Sequence, residues 1–377
     1  MPSDPKRCSW DEEGDGCGLV NFQTTVGLEI LEYEGRDYCL LHLHLKAKRD
    51  KYTVQPNSLS QIFHQLQIAG ATDFRGVQLP GFPHNVLQTY SIQRPIMMRN
   101  AVFGDWVRLT FENVGCDLSG SIFEGVTDID NLSNQQEVSL RQCKFLGRLK
   151  VDAGNSRFAI DFTKSEFCER ARFSQVDSLE SLLFAGCRFA YAPEFSSEVK
   201  LPPKTSFDRA EFTVRAEDES AYRTIRNAFA TPRARDAEGR FYAYEKQAQR
   251  MSLRRDQWLQ RIISWLYDKF SRYGSSYERA LFWFAGFQLA FGLLYAWKSD
   301  RLDMGRSLDG AVPAFTFAQV VKPFELFTSR PVAGNALEVV GPDPSGWWLL
   351  LTASQSLASL SLVALILLAL RWRFRRE

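Results

Sequence analysis

The chain has 377 residues, with 46 Lys+Arg against 44 Asp+Glu and a formal net charge of +2. That length holds two or three domains, and so even a charge balance excludes a global nucleic-acid-binding signal. The opening stretch MPSDPKRCSWDEEGDG is polar with no apolar run, so no secretory signal is expected, and the seven cysteines do not space out as a disulfide framework.

Residues 1–70 are expected to form an N-terminal module. Cys8, Cys17, Cys39 and His42 stand there as C-x8-C-x21-C-x2-H in a Gly- and acid-rich stretch. Three thiolates and an imidazole satisfy tetrahedral zinc, and a module this small gains folding energy from such a staple. With all four positions filled by protein, the site reads as structural. Only the Cys39/His42 spacing is tight, His44 is a rival ligand, and three buried or incidental cysteines are the competing reading.

Residues 71–214 repeat. One column of large apolar residues runs Leu118, Leu140, Phe162, Phe184, Phe207, in steps of 22, 22, 22 and 23. A second runs Phe123, Phe145, Phe167, Phe189, Phe212 with the same steps, and a third runs Ile129, Val151, Phe173, Phe195. Two residues before the second column stand Ser121, Cys143, Ser165, Cys187 and Ala210, all small. A fixed period of this size signals a solenoid, in which each repeat buries its apolar face by stacking on a neighbour. The expected coil has about four short sides, with the columns stacked inside and the small residues at a crowded corner. Cys116 is expected there with Cys143 and Cys187, and Cys168 is expected to face outward, as are Lys144, Arg172, Asp208 and Arg209.

On these residues the chain resembles the pentapeptide-repeat family, right-handed quadrilateral β-helices built from A(D/N)LXX-like units. Residues 116–120 (CDLSG), 121–125 (SIFEG), 205–209 (TSFDR) and 210–212 (AEF) fit that unit. The fourth side departs from it, being longer and without an apolar column, so loops or bulges are expected there. Residues 73–82 and 101–111 read as degenerate starting coils, and the resemblance covers roughly residues 72–214. Some membrane-bound members carry a similar leading C…C…YC-x-x-H segment, which implies a metal site in the N-terminal module.

Residues 215–278 read as helical and basic. Tyr222, Ile225 and Phe229 form an i, i+3, i+7 stripe that stops at Thr231-Pro232, and a second helix starts near Asp236. The pair resembles a tetratricopeptide-like hairpin that caps the open end of the solenoid. Farther on, Trp258, Ile262, Trp265 and Leu266 with Arg254, Arg255, Arg261 and Lys269 suggest a helix lying in a membrane interface.

Residues 279–377 read as a two-span domain. The uncharged runs 280–297 and 346–370 reach about 27 and 37 Å as helices, against about 30 Å of hydrocarbon. Trp283, Trp297, Trp347 and Trp348 lie near their ends, where interfacial rings are favoured. Arg371, Arg373, Arg375 and Arg376 after the second span, and Arg261, Lys269, Arg272 and Arg279 before the first, contrast with five basic and six acidic residues in the loop 298–345. Positive-inside bias therefore places both termini in the cytoplasm, and the group resembled is bacterial, which implies the inner membrane. In the second span, Thr352, Gln355, Ser356 and Ser359 share one helix face. That polar stripe must meet protein or water, so a homo-oligomer is expected, with packing on the Gly286/Ala290 surface of the first span as the other solution.

The expected class is mixed: a right-handed quadrilateral β-helix, then a helical segment and two transmembrane α-helices. Catalysis is not expected, because all four histidines precede the regular 22-residue copies and no phosphate loop or nucleophile elbow appears. DNA mimicry, a use of some soluble pentapeptide-repeat proteins, needs a strongly acidic surface; residues 70–214 hold 18 acidic and 16 basic side chains, so no nucleic-acid role is expected. Two readings stay open. In one the β-helix is a recognition scaffold for a cytosolic protein, anchored in lipid by the two spans. In the other the spans form an oligomeric, channel-like module that the β-helix assembles or gates.

Overall fold

The computed structural model describes the chain apart from residues 1–6, 11–15, 23–25, 27, 53–54, 82–87, 112–113, 131–136, 155–156, 158, 197–198, 231–234, 299–310, 322–338, 340–345 and 375–377. Most of the expected outer loop, the break at Thr231-Pro232 and the tail residues Arg375 and Arg376 thus lie outside the described residues. Two compact units, Met1–Ala248 and Gln249–Glu377, divide it.

The first unit opens with an antiparallel hairpin, β1 (Ile30–Tyr33) and β2 (Arg36–Cys39), turned through Glu34 and Gly35 at positive φ. Two helices follow, α1 (Leu45–Asp50) and α2 (Pro56–Ile68), the latter started by a proline whose missing N–H costs nothing at a first turn. A parallel β-solenoid comes next, its strands forming sheets of six, six and seven on three sides. Strand pairing keeps the sequence period: Phe123, Phe145, Phe167, Phe189 and Phe212 are mutual partners in successive coils, as are Ile129, Val151, Phe173 and Phe195. Rings of the second column stack at 4.6, 5.1, 4.6 and 5.1 Å, and Phe103 extends the stack upstream at 4.7 Å. In the first column, Leu118 and Leu140 are buried and Phe162, Phe184 and Phe207 stack at 5.4 and 4.8 Å. Each such ring taken from water contributes about 1.5–3 kcal/mol, which is what offsets the ordering of so many short strands.

Cys116 is not in the small column. It pairs in register with Ile96 and Val138, a line continued by Ile160 and Leu182, and is an inward residue of the preceding side. Variation in that line from Cys to Leu hid it from a search for repeated residue types. Members of the small column also do more than fit. Ser121 and Ser165 donate to Met98 O and Leu140 O at 3.1 and 2.7 Å, and Cys143 and Cys187 do the same to Leu118 O and Phe162 O at 3.2 and 2.9 Å. The carboxylates of Asp117 and Asp161 accept Ser119 and Thr163 N–H at 3.0 and 2.8 Å, turning the chain into left-handed corners at Gly120 and Lys164. At the other corner a Cβ on Gly125 would lie 1.6 Å from Asp105 O, so only glycine lets these coils close up.

No strand lies on the fourth side among the described residues. One coil there makes a single 3-10 turn, Val176–Ser178, which buries Val176 and Leu179, so this side contributes to the core without a repeating column. Both ends of the stack are covered. Phe63 of α2 lies against Phe74 and Tyr90 at the first coil, at 4.8 and 5.9 Å. At the last coil, α3 (Glu219–Ala228) and α4 (Arg235–Ser252) set Phe229, Phe241 and Tyr244 against Phe207 and Phe212, at 5.1–6.1 Å. Buried Glu245 binds Arg223 and Arg226 at 3.1 and 2.6 Å, which fixes the angle between these two helices.

The second unit is helical: α5 (Trp258–Ser271), α6 (Tyr277–Lys298), α7 (Ala311–Val321) and α8 (Gly346–Phe374). Within α6 and α8, residues 277–297 and 346–371 are long and apolar enough to cross a membrane. On α5, Trp258, Leu259, Ile262, Ile263 and Trp265 are exposed while Phe270 turns in against Trp283 at 5.3 Å.

Candidate metal centre

The hairpin sets up the site. β2 ends at Cys39, and the chain then coils once, with His42 N–H and Leu43 N–H both donating to Cys39 O at 3.0 and 2.9 Å. That turn is why the C-x-x-H spacing works: it puts the Cys39 thiol and His42 imidazole side by side, at 3.1 Å. Cys17 is carried in by a chain tied down at buried Leu19, and Gly18 there passes so close to Asp73 that a Cβ would come within 2.9 Å of its carboxylate. Cys8 is held next to the hairpin by Ser9 N–H donating to Asp37 O at 2.6 Å.

The four donors converge on one point. His42 Nδ1 is 3.6 Å from Cys8 Sγ and 3.3 Å from Cys17 Sγ, and the sulfurs of Cys17 and Cys39 are 3.9 Å apart. All four ligand atoms lie within 4.8 Å of one another. A tetrahedron with Zn–S of about 2.3 Å and Zn–N of about 2.0 Å requires S···S near 3.8 Å and S···N near 3.5 Å. The residues present therefore fit a metal ion of that size. On its other side His42 Nε2 donates to Arg75 O at 2.8 Å, which leaves Nδ1 as the free lone pair facing the thiols. Trp10 stacks flat on the imidazole, with centroids 4.3 Å apart, over Gly76, where any side chain would strike the indole. His44, the rival ligand, is elsewhere: its Nδ1 accepts Lys46 N–H at 3.2 Å as the cap of α1.

Charge at the cluster is unevenly shared. Hydrogen bonds from Cys17 and Cys39 hold the Cys8 thiol well below the ordinary range. Burial, first of all, pushes Cys39 far up. Cys17 feels its Cys39 hydrogen bond as a downward pull, but Cys8 and burial outweigh it and push it up to about 12. Beside the cluster, fully buried Lys48 donates to Leu41 O at 3.0 Å and to Gln78 O, and burial lowers its pKa to about 7. Neither Lys48 nor Trp10 was singled out in the sequence, because nothing in their spacing links them to the ligands.

The site is also a joint. Gln78 N–H donates to Leu41 O at 2.8 Å, Gln78 Oε1 accepts Leu45 N–H at 2.8 Å, and Arg75, whose carbonyl holds His42, pairs with Asp73 at 2.9 Å. The N-terminal module is thereby bonded to the first coil of the solenoid through the loop that carries two of the four candidate donors.

In the second unit the polar stripe of α8 is internal. Thr352, Gln355, Ser356 and Ser359 are buried. Gln355 Nε2 donates to Gln288 Oε1 at 2.8 Å and to Thr316 O at 3.0 Å, Tyr295 OH donates to Gln355 Oε1 at 2.6 Å, and Gln288 Nε2 donates to Ser359 Oγ at 2.8 Å. Gln288, Tyr295 and Thr316 could not be named from the stripe, because they lie 39–71 residues away from their partners. Compared with family models, with curated proteins and with solved structures, the chain matches none.

Proposed function

We propose that this is a non-catalytic scaffold of the pentapeptide-repeat kind, held at the bacterial inner membrane by two spans with both termini in the cytoplasm. Its N-terminal cap carries one structural zinc on Cys8, Cys17, Cys39 and His42. Its solenoid offers its outer faces to a cytosolic protein, and α5 lies on anionic lipid through its tryptophans and its flanking arginines. The observation that carries the anchor reading is the Gln288–Gln355–Ser359–Tyr295 network. A pore would want that polar face turned to water or to another subunit; here its hydrogen bonds are spent on the same chain. Both ends of the solenoid are covered by helices, so its sides are the surfaces left for a partner.

Reconstitution of the full chain into liposomes tests this reading. Carbonate washing should leave the protein in the membrane, metal analysis should find one zinc per chain, and ion flux should match that of empty vesicles. Protein-dependent flux would replace the anchor by the channel-like module, and release by carbonate would remove the spans.

A further inference from the structure

We infer that α7 is a third membrane-embedded element, a short helix lodged beside the two spans at mid-depth. The inference rests on reading α6 and α8 as spans. At 11 residues α7 is about 16 Å long, half of what a crossing needs. On that reading the facing ends of α6 and α8, at Lys298 and Gly346, lie on one side of the membrane.

Depth follows from the hydrogen bonds. Gln355 lies nine residues into α8 and Gln288 ten residues from the end of α6, so each side chain sits about 13–15 Å below the loop-side helix ends. These two amides bond each other, and the same Gln355 amide donates to the carbonyl of Thr316, the middle residue of α7. The centre of α7 is therefore near the middle of the spans. Phe315 meets the Tyr295 ring at 5.1 Å, and Thr316 Oγ1 bonds back to Val312 O at 2.8 Å, which leaves no hydroxyl to satisfy.

The two faces of α7 agree with that depth. Val312, Phe315, Thr316 and Gln319, spaced i, i+3, i+4, i+7, are buried against the other helices. The outward face carries Phe317 and Val321, 66% and 63% exposed, and α7 contains no charged residue. On an aqueous surface that face would be an unexplained apolar patch. In hydrocarbon it is the expected lining.

The test uses the full chain with single substitutions Phe317→Cys, Leu289→Cys or Leu360→Cys, the last two being exposed mid-span controls on α6 and α8. Each is labelled with a thiol-reactive fluorophore and reconstituted in phosphatidylcholine brominated at mid-chain, with the signal of the unsubstituted chain subtracted. The expected result is quenching at position 317 to within twofold of the controls. Unlabelled Phe317→Cys in intact vesicles should resist a membrane-impermeant maleimide until detergent is added. Reaction of 317 in intact vesicles without quenching, while both controls are quenched, would overturn the embedded α7 and leave the spans standing. Loss of quenching at the controls as well would remove the span reading and this inference with it.

Discussion

Ser165 shows what a small side chain does inside a crowded solenoid. Its hydroxyl donates to Leu140 O and accepts Cys143 N–H at 3.0 Å, so it joins two coils at a place too tight for a larger residue. Ser165→Ala leaves both buried backbone groups short of a partner and should cost about 1–3 kcal/mol, whereas Ser165→Cys keeps a donor and should cost less. Thermal unfolding of the detergent-solubilised chain measures the difference; identical losses would mean that size alone selects this column. At the candidate metal centre, Cys39→Ser should drop zinc from one per chain to a small fraction, while His44→Ala should keep it, because His44 caps α1 away from the four donors. Retained zinc in the Cys39 variant would remove that cysteine from the ligand set.

At the scale of elements, each coil depends on its neighbours, since a two-residue strand has no core of its own. Phe167→Asp would place a bare charge between Phe145 and Phe189 and should prevent folding of the solenoid, while Lys164→Glu at an outer corner should be nearly silent. Equal melting temperatures for the two would refute the register. The caps act only on the ends. Phe241→Ala removes the ring that covers Phe207 and Phe212 and should cost about 3–5 kcal/mol locally. Amide exchange should then quicken in residues 204–213 and stay slow in residues 138–151, and uniform quickening would argue against end-wise fraying. The inward columns were legible because one residue type recurs at one interval. The Cys116–Val138–Ile160–Leu182 line was not, because burial there asks only for an apolar side chain and its members differ in type.

For the whole molecule, zinc on the proposed site would stabilise only what it is bonded to. Removing it with a strong chelator should lower the melting temperature of the solenoid unit, through the Arg75 and Gln78 joints, and leave the helical unit in the membrane. Circular dichroism read at strand and helix wavelengths, with carbonate extraction alongside, separates the two effects. Loss of both together would mean that the units fold as one.

Sequence by itself determined whatever repeats or accumulates along the chain. The 22-residue interval dictates stacked coils, uncharged runs of 18 and 25 residues dictate long apolar helices, and Cys39 with His42 marks half of the candidate donor set. Tertiary structure decided everything that needs two distant segments to meet. It brought Cys8 and Cys17 to within bonding reach of a turn 22 to 34 residues away, laid Trp10 on His42, and closed Gln355 onto Gln288 and Thr316. The reason is physical. A column is a local rule applied again and again, so it leaves a period behind, whereas a single contact between remote residues leaves no interval to read.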